Sequence, residues 1–182
     1  KFKNKINAKD AEIILFVGSE NGSTWQFAKS FHEALLEQGK RIRTVGLQEN
    51  EHYPKLKELI IFTSTYGIGE APYNGKNFVD QLKNNSFENV SYSILGFGSK
   101  QYSDFCQYAF TINDQLKQTP ANEFIPIQTV DNKNIQQFNN WVASYKEKSG
   151  LQNLNASLKL KKHKTYNFKV LSNSYIDSSS EY

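Results

Sequence analysis

The stretch IILFVGSENGST, residues 13–24, joins five consecutive apolar residues to a turn of small or polar ones. The apolar run has no polar alternation, which is typical of a strand covered on both faces in a parallel sheet. Apolar side chains then recur at spacings of three and four over residues 25–38, which predicts a helix that ends at Gly39. A tight polar turn between a buried strand and the start of a helix is a place to hold an anion.

The same pattern recurs along the body of the chain. Strand-like runs occupy residues 43–47, 59–65, 91–97 and 123–130. Helix-like segments occupy residues 74–83, 103–118 and 134–146. We interpret this order as a βαβαβαβαβα alternation, which predicts an α/β fold with a doubly wound, five-stranded parallel sheet and helices on both faces.

Composition and charge limit the classes of function. The chain has 182 residues and a net charge of +4, and its single cysteine, Cys106, excludes an internal disulfide. Residues 10–147 carry 12 basic and 16 acidic side chains, so the basic excess lies in the flanking segments. An acidic body argues against nucleic acid as the ligand. No apolar stretch approaches the roughly 20 residues of a membrane-spanning helix, and no signal peptide opens the chain.

Three loops leave the carboxyl ends of predicted strands, where ligands of doubly wound sheets bind. They are GSENGST (residues 18–24), STYGIGEAP (64–72) and LGFGSKQYSDF (95–105). The first lacks the Gly-Lys-Ser/Thr ending of a Walker loop, but its hydroxyls, amide and helix-end N–H groups suit one terminal phosphate. Alternatively, the side chains of Ser19, Asn21 and Ser23 only cap the helix.

The second and third loops each carry a tyrosine, Tyr66 and Tyr102. Two aromatic side chains on neighbouring loops can sandwich a planar ring, although a single loop tyrosine is more often a packing residue. Neither Gly-x-Gly stretch is a dinucleotide fingerprint, because the third glycine is missing and the loops follow strands three and four. The three loops together predict a ligand with a flat ring on a stem that ends in a monophosphate, which describes FMN.

These three motifs resemble the FMN loops of the flavodoxin-like domain in diflavin reductases, the family of cytochrome P450 reductase and the sulfite reductase flavoprotein. The resemblance covers about residues 11–147 and implies a flavodoxin-like sheet in the strand order 2-1-3-4-5. It implies a phosphate loop made of Ser19, Glu20, Asn21, Gly22, Ser23 and Thr24. It implies ring contacts from Ser64, Thr65, Tyr66, Gly67, Phe97, Gly98, Ser99, Tyr102 and Phe105, with Asp131 after strand five.

Two positions depart from the pattern of that family. Glu20 places a carboxylate where a neutral residue is usual, and we expect its side chain to point outward, leaving its N–H for the ligand. Cys106 stands where an asparagine is common, and we expect a buried side chain without a redox role. The three histidines, His32, His52 and His163, are scattered, so no metal site is predicted. No side chain is expected to act as a catalytic acid, base or nucleophile.

The flanking segments complete the domain prediction. Residues 1–10 and 148–165 are interpreted as linkers, with the flavodoxin-like domain at residues 11–147. The end of the chain, NFKVLSNSYIDSSSEY (residues 167–182), resembles the first strand and turn of a ferredoxin-reductase-like FAD module. Residues 166–182 are therefore interpreted as the truncated start of an FAD domain.

The resemblance implies the FMN-binding electron-transfer module of an NADPH-dependent diflavin reductase. Electrons would pass from an NADPH-reduced FAD module in the same chain to FMN, and singly from there to an acceptor protein such as sulfite reductase hemoprotein or a haem enzyme. FAD and NADPH are expected in the full-length protein and not in this fragment. A cytoplasmic location is expected, at the cytoplasmic face of a membrane if an anchor precedes Lys1.

Other functions fit parts of the same pattern. A stand-alone flavodoxin carrier would have no need of a strand after its last helix. A phospho-receiver domain would need an acidic cluster at the ends of strands one and three, where this chain has Val17-Gly18-Ser19 and Thr63-Ser64-Thr65. A quinone reductase of flavodoxin-like fold would need an open face over the ring, against which a tyrosine sandwich argues.

Overall fold

The computed structural model of the protein describes residues 3–156 and 158. In this part of the chain, five strands form one parallel sheet in the order β2-β1-β3-β4-β5, which confirms the predicted topology. The strands are β1 (Ile13–Gly18), β2 (Ile42–Gly46), β3 (Glu58–Ser64), β4 (Ser91–Gly98) and β5 (Asn122–Asp131). The predicted strands agree with these bounds to within one residue at each end.

Four α-helices pack on the two faces of this sheet among the described residues. They are α1 (Thr24–Glu37), α2 (Phe78–Lys83), α3 (Gln107–Leu116) and α4 (Ile135–Ser149). Alternate residues of β1 enter opposite cores, because successive side chains of a strand point to opposite faces. Leu15 packs with α1 and α4 in one core, and Phe16 packs with α2 and α3 in the other. The six residues of β1 are all buried, as its continuous apolar sequence predicts.

The strict alternation of strands and helices is wrong at one crossover. Between β2 and β3 the described chain has no helix, and residues 47–57 return along the sheet as turns and irregular backbone. Pro54 lacks a backbone N–H and disfavours helix at the residue before it, which explains why no helix forms there.

Two predicted helices begin too early. The segment predicted as a helix over 74–83 is a 3-10 turn, Tyr73–Gly75, followed by the short helix α2. The helix predicted to begin at Ser103 begins at Gln107, because Cys106 has a left-handed backbone conformation with φ of 56°. Residues 99–106 instead form turns that extend the third loop.

Both flanking segments contact the body where they are described. The Asn4 side chain donates to the Thr44 carbonyl at 2.8 Å and accepts from the Thr44 N–H at 2.7 Å, on the free edge of β2. Leu154 and Ala156 are buried in the core beside α4. Residues 4–10 and 151–156, assigned to linkers from their sequence, therefore pack against the sheet and helices. The segment interpreted as the start of an FAD domain, residues 166–182, lies outside the described residues.

No helix in the described part of the chain is both long enough and apolar enough to cross a membrane.

Candidate cofactor site

The first loop lies between the end of β1 and the start of α1. The Ser19 hydroxyl accepts a hydrogen bond from the Gly22 N–H at 3.0 Å, and the Asn21 carboxamide accepts one from the Ser23 N–H at 3.2 Å. Gly22 has φ of 83°, a conformation that a glycine adopts without a Cβ penalty. These bonds fold the loop tightly over the N-terminus of α1, where the helix dipole favours an anion.

Thr24 is the first residue of α1 and is 1% exposed. Its hydroxyl is buried and has no hydrogen-bond partner within the described protein. Buried hydroxyls are normally satisfied, so one unpaired hydroxyl at a helix N-terminus fits a loop that holds an anion. The N-cap residue Ser23 makes no side-chain capping bond, whereas the Ser19 and Asn21 side chains bond to N–H groups of the residues that precede the helix.

The second loop forms a tight hairpin whose tip carries exposed apolar side chains. Tyr66 and Glu70 exchange two backbone hydrogen bonds, of 2.9 and 2.8 Å, and both intervening glycines have positive φ. Tyr66 is 52% exposed and Ile68 is 82% exposed. The hairpin thus presents the Tyr66 ring at the carboxyl edge of the sheet on a well-defined backbone.

The third loop carries Tyr102, which is 65% exposed. The Ser99 carbonyl accepts a hydrogen bond from the Tyr102 N–H at 3.1 Å. A carboxylate oxygen of Asp131 accepts one from the Lys100 N–H at 3.0 Å. Asp131, predicted to contact the cofactor, is therefore placed at this edge and braces the third loop. The Lys100 ammonium lies 5.8 Å from the centroid of the Phe105 ring.

The three loops meet at one edge of the sheet. The Thr65 N–H donates to the Phe97 carbonyl at 3.1 Å, which joins the second loop to the end of β4. The Ser64 hydroxyl donates to the Gly18 carbonyl at 3.4 Å, which joins it to the end of β1. A Cβ on Gly69 would lie 3.3 Å from the Asp104 Cβ, so the second and third loops pack closely.

The predicted site residues differ in whether the side chain or only the backbone lies at this edge of the sheet. The Phe97 side chain is buried in the core against Phe27 and Phe62, so only its backbone belongs to the loop. A Cβ on Gly98 would lie 3.1 Å from the Cys106 backbone nitrogen, which explains the need for glycine there. Glu20 is exposed, as expected, and its carboxylate accepts a hydrogen bond from the Tyr73 N–H at 2.7 Å.

A bracing turn that the sequence analysis missed lies beneath the first two loops. It is the 3-10 turn Tyr73–Gly75, which lies where the sequence predicts the start of a helix. The Asn74 carboxamide bonds to backbone groups at both ends of the Val17–Ser19 segment. The signal for a turn was present, because Pro72 and the Asn-Gly pair at 74–75 favour turns.

One titratable side chain near this edge, the thiol of Cys106, has a strongly shifted pKa. Burial raises the pKa of the Cys106 thiol to about 12, and the nearby Asp131 carboxylate adds to that shift. Cys106 is buried, as expected, and a thiol of such high pKa is a poor nucleophile. Among the described residues no cluster of His, Cys, Asp and Glu could hold a metal ion.

Comparison with known proteins places the chain in a family. Residues 15–141 match the sequence model described as flavodoxin. This chain belongs to the flavodoxin family. Flavodoxin domains bind FMN, and the expectation of FMN as the cofactor is confirmed. The polar first loop with its unpaired Thr24 hydroxyl and the two exposed tyrosines fit the phosphate and the ring of FMN.

Relatives and solved structures agree with this family. NADPH oxidoreductase A of Dictyostelium discoideum is 26% identical over 136 residues, which cover 71% of this chain and 22% of that protein. The sulfite reductase [NADPH] flavoprotein alpha-component of Buchnera aphidicola (subsp. Acyrthosiphon pisum) is 25% identical over 180 residues, 96% of this chain and 28% of that protein. The chain therefore spans less than a third of the length of these flavodoxin-domain relatives.

The fold is also that of single-domain flavodoxins. The crystal structure of oxidised flavodoxin 2 from Bacillus cereus superposes with a TM-score of 0.67 at 20% identity. The superposition covers 76% of this chain and 99% of that structure.

Proposed function

We propose that this chain is the FMN-binding electron-transfer module of an NADPH-dependent diflavin reductase. Its FMN would receive electrons from an FAD module that NADPH reduces, and would pass them singly to an acceptor protein. The observation that carries the proposal is the pair of exposed tyrosines, Tyr66 and Tyr102, on two loops packed beside a polar strand-to-helix turn. Redox chemistry belongs to the flavin, and the protein binds and orients it.

The site residues have distinct proposed roles. Residues 19–24 of the first loop would hold the phosphate with backbone N–H groups and hydroxyls, since the loop contains no lysine or arginine. Tyr66 and Tyr102 would stack on opposite faces of the ring. Ser64, Thr65 and Gly67 would border one ring edge. Phe97, Gly98, Ser99 and Phe105 would line the other side, with the Phe97 contribution limited to its backbone.

The extent of the sequence similarity favours a protein in which the FMN module is joined to an FAD module. The similarity to the Buchnera sulfite reductase flavoprotein covers 96% of this chain and so continues beyond the flavodoxin model, which ends at residue 141. The partners proposed are therefore an FAD and NADPH module in the same protein and a separate electron acceptor. Sulfite reductase hemoprotein and haem enzymes are acceptors of the expected class.

A stand-alone flavodoxin carrier is the second candidate. The observation in its favour is that the fold accounts for 99% of the Bacillus cereus flavodoxin structure. An immunoblot of source cells with an antibody against this domain separates the two candidates. A band of several times the 20.9 kDa of this chain supports the diflavin reductase, and a single-domain band supports the carrier.

Reconstitution tests the electron-transfer function. The purified protein is incubated with excess FMN, separated from free flavin, and its visible spectrum and released flavin are measured. We expect one FMN for each chain. The flavin is then photoreduced and mixed with oxidised cytochrome c, a one-electron acceptor. Reduction of cytochrome c that needs the bound FMN supports the proposal, and a protein that stays colourless contradicts it.

A further inference from the structure

We infer that Asn74 is a positioning residue for FMN binding, which holds the phosphate loop (residues 18–24) in its binding conformation. The inference rests on the proposed FMN site, whose phosphate half this loop forms. Asn74 belongs to the turn Tyr73–Gly75 and not to the loop itself. It acts through the backbone of the loop, and no contact of its side chain with the cofactor is invoked.

The Asn74 carboxamide bonds to both sides of the loop's first residue. Its Nδ2 donates to the Val17 carbonyl at 2.8 Å, and its Oδ1 accepts from the Ser19 N–H at 3.0 Å. Val17 is fully buried, and Gly18 is the last residue of β1. These two bonds fix the direction in which the chain leaves β1, and thereby the start of the phosphate loop.

A third hydrogen bond joins the same turn to the phosphate loop. The Glu20 carboxylate accepts from the Tyr73 N–H at 2.7 Å. This bond draws the carboxylate toward the turn. Charge on that side chain would otherwise repel a phosphate dianion beside it. The turn thus orients the phosphate loop through the Ser19 backbone and through the side chain of Glu20, which departs from the family pattern.

The turn is itself held rigidly. The Tyr108 hydroxyl of α3 donates to the Gly75 carbonyl at 2.5 Å, and the Tyr108 N–H donates to the Thr65 hydroxyl at 3.1 Å. A Cβ on Gly75 would lie 3.0 Å from the Leu47 Cδ1, so the turn packs closely against this side chain. Asn74 therefore connects the phosphate loop to a turn that is hydrogen-bonded to α3. The same residue of α3, Tyr108, also bonds to Thr65 in the second loop.

The connection gives a prediction that separates positioning from general stability. FMN would contact the phosphate loop through its phosphate and the two tyrosine-bearing loops through its ring. Riboflavin lacks the phosphate and would contact only the tyrosine-bearing loops. A residue that orients the phosphate loop should matter for FMN and little for riboflavin. A residue that only supports the fold should affect the two flavins alike.

The test compares Asn74→Leu with Asn77→Leu in the apoprotein by titration with FMN and with riboflavin, followed by flavin fluorescence. Asn77 is the matched control, because it lies three residues further on and makes no side-chain capping bond to α2. For Asn74→Leu we expect the Kd for FMN to rise about 10- to 100-fold, the range for losing bonds to buried backbone groups. The Kd for riboflavin should change less than about threefold, and Asn77→Leu should leave both within about twofold.

Asn74→Ala is a second, smaller variant that serves if Asn74→Leu does not fold. It loses both the acceptor for the Ser19 N–H and the donor to the Val17 carbonyl without adding a charge near the phosphate, so FMN affinity should fall by about tenfold or more. Equal weakening of FMN and riboflavin, or unchanged FMN affinity, would overturn the positioning role. Failure of the unaltered protein to bind FMN would instead overturn the proposed function, so the two failures are distinguishable.

Discussion

At the scale of single residues, Glu58 forms a pair with Tyr145 at the edge of the sheet opposite the cofactor site. The Tyr145 hydroxyl donates to Glu58 Oε2 at 2.9 Å, while Glu58 Oε1 is shielded from solvent and has no partner in the described chain. Burial raises the pKa of Glu58 to about 7, although the Tyr145 hydroxyl and, more weakly, Lys40 oppose that shift. The folded state therefore binds this proton more tightly than the unfolded chain does.

The raised pKa makes stability fall with increasing pH. The contribution of Glu58 is fully present below about pH 4.5 and is lost as the pH rises to about 7, by about 1–3 kcal/mol. Glu58→Gln keeps an acceptor for Tyr145 and removes the titration. We expect this variant to be more stable than the unaltered protein at neutral pH, as measured by urea unfolding from about pH 4 to 7.5.

His32 has the opposite effect on stability, so it partly cancels the decrease of the free energy of unfolding with pH that Glu58 causes. Its Nδ1 lies 2.7 Å from the Thr44 hydroxyl oxygen, and burial, with a smaller effect of Lys5, lowers its pKa to about 4. The unfolded state then binds more protons between about pH 4 and 6.5, so stability rises with pH there. His32→Asn should therefore steepen the loss of stability with pH, and an unchanged profile in both variants would contradict the assignment.

The two exposed tyrosines give a prediction about binding. Tyr66→Ala and Tyr102→Ala should each raise the Kd for both FMN and riboflavin about tenfold, because each loses stacking and apolar contact with the ring. Tyr73→Ala is the control, since its side chain is 77% exposed and its contact with Glu20 is made by the backbone. Fluorescence titration measures all three, and a Tyr73 effect as large as the others would count against the stacking assignment.

At the scale of elements, the strands were predictable and the loops were predictable only as motifs. Residues 13–17 are continuously apolar because both faces of β1 are covered, and such a run is readable without a structure. The start of α3 could not be predicted from the sequence. Phe105 and Cys106 continue the apolar spacing of the helix, but Cys106 has a left-handed backbone with φ of 56°. Asn74 was missed because its partners lie 55 and 57 residues away, a separation that local pattern does not reveal.

Close packing of β4 against α3 leads to a prediction at this scale. A Cβ on Gly96 would lie 2.8 Å from the Ala109 Cβ and 3.1 Å from the Cys106 Cβ. Gly96→Ala should therefore lower the free energy of unfolding by about 1–3 kcal/mol through overpacking. Gly46→Ala in β2 is the matched control, because its Cβ would meet the flexible end of Gln48. Urea denaturation of both variants measures the difference, and equal effects would contradict the packing argument.

At the scale of the whole molecule, the amino-terminal segment protects an edge of the sheet. β2 is an edge strand, and its Thr44 backbone groups are paired by the Asn4 side chain. Unpaired edge strands promote association with other chains. Asn4→Ala should lower the free energy of unfolding by about 1–3 kcal/mol and increase self-association, measured by light scattering after size-exclusion chromatography. Asn7→Ala is the control, since Asn7 makes no side-chain capping bond.

The carboxyl-terminal limit of the folded unit lies beyond the last helix. Leu154 is 4% exposed in the core beside α4, whereas the predicted domain ended at residue 147. A chain cut after Ser149 would expose that core, and Leu154→Ala in the intact chain should cost about 2–5 kcal/mol of unfolding free energy. The partly buried Leu151 is the control, and Leu151→Ala should cost less. Urea unfolding of the two variants and of the cut chain tests this limit, and a cut chain as stable as the intact one would support a boundary near residue 147.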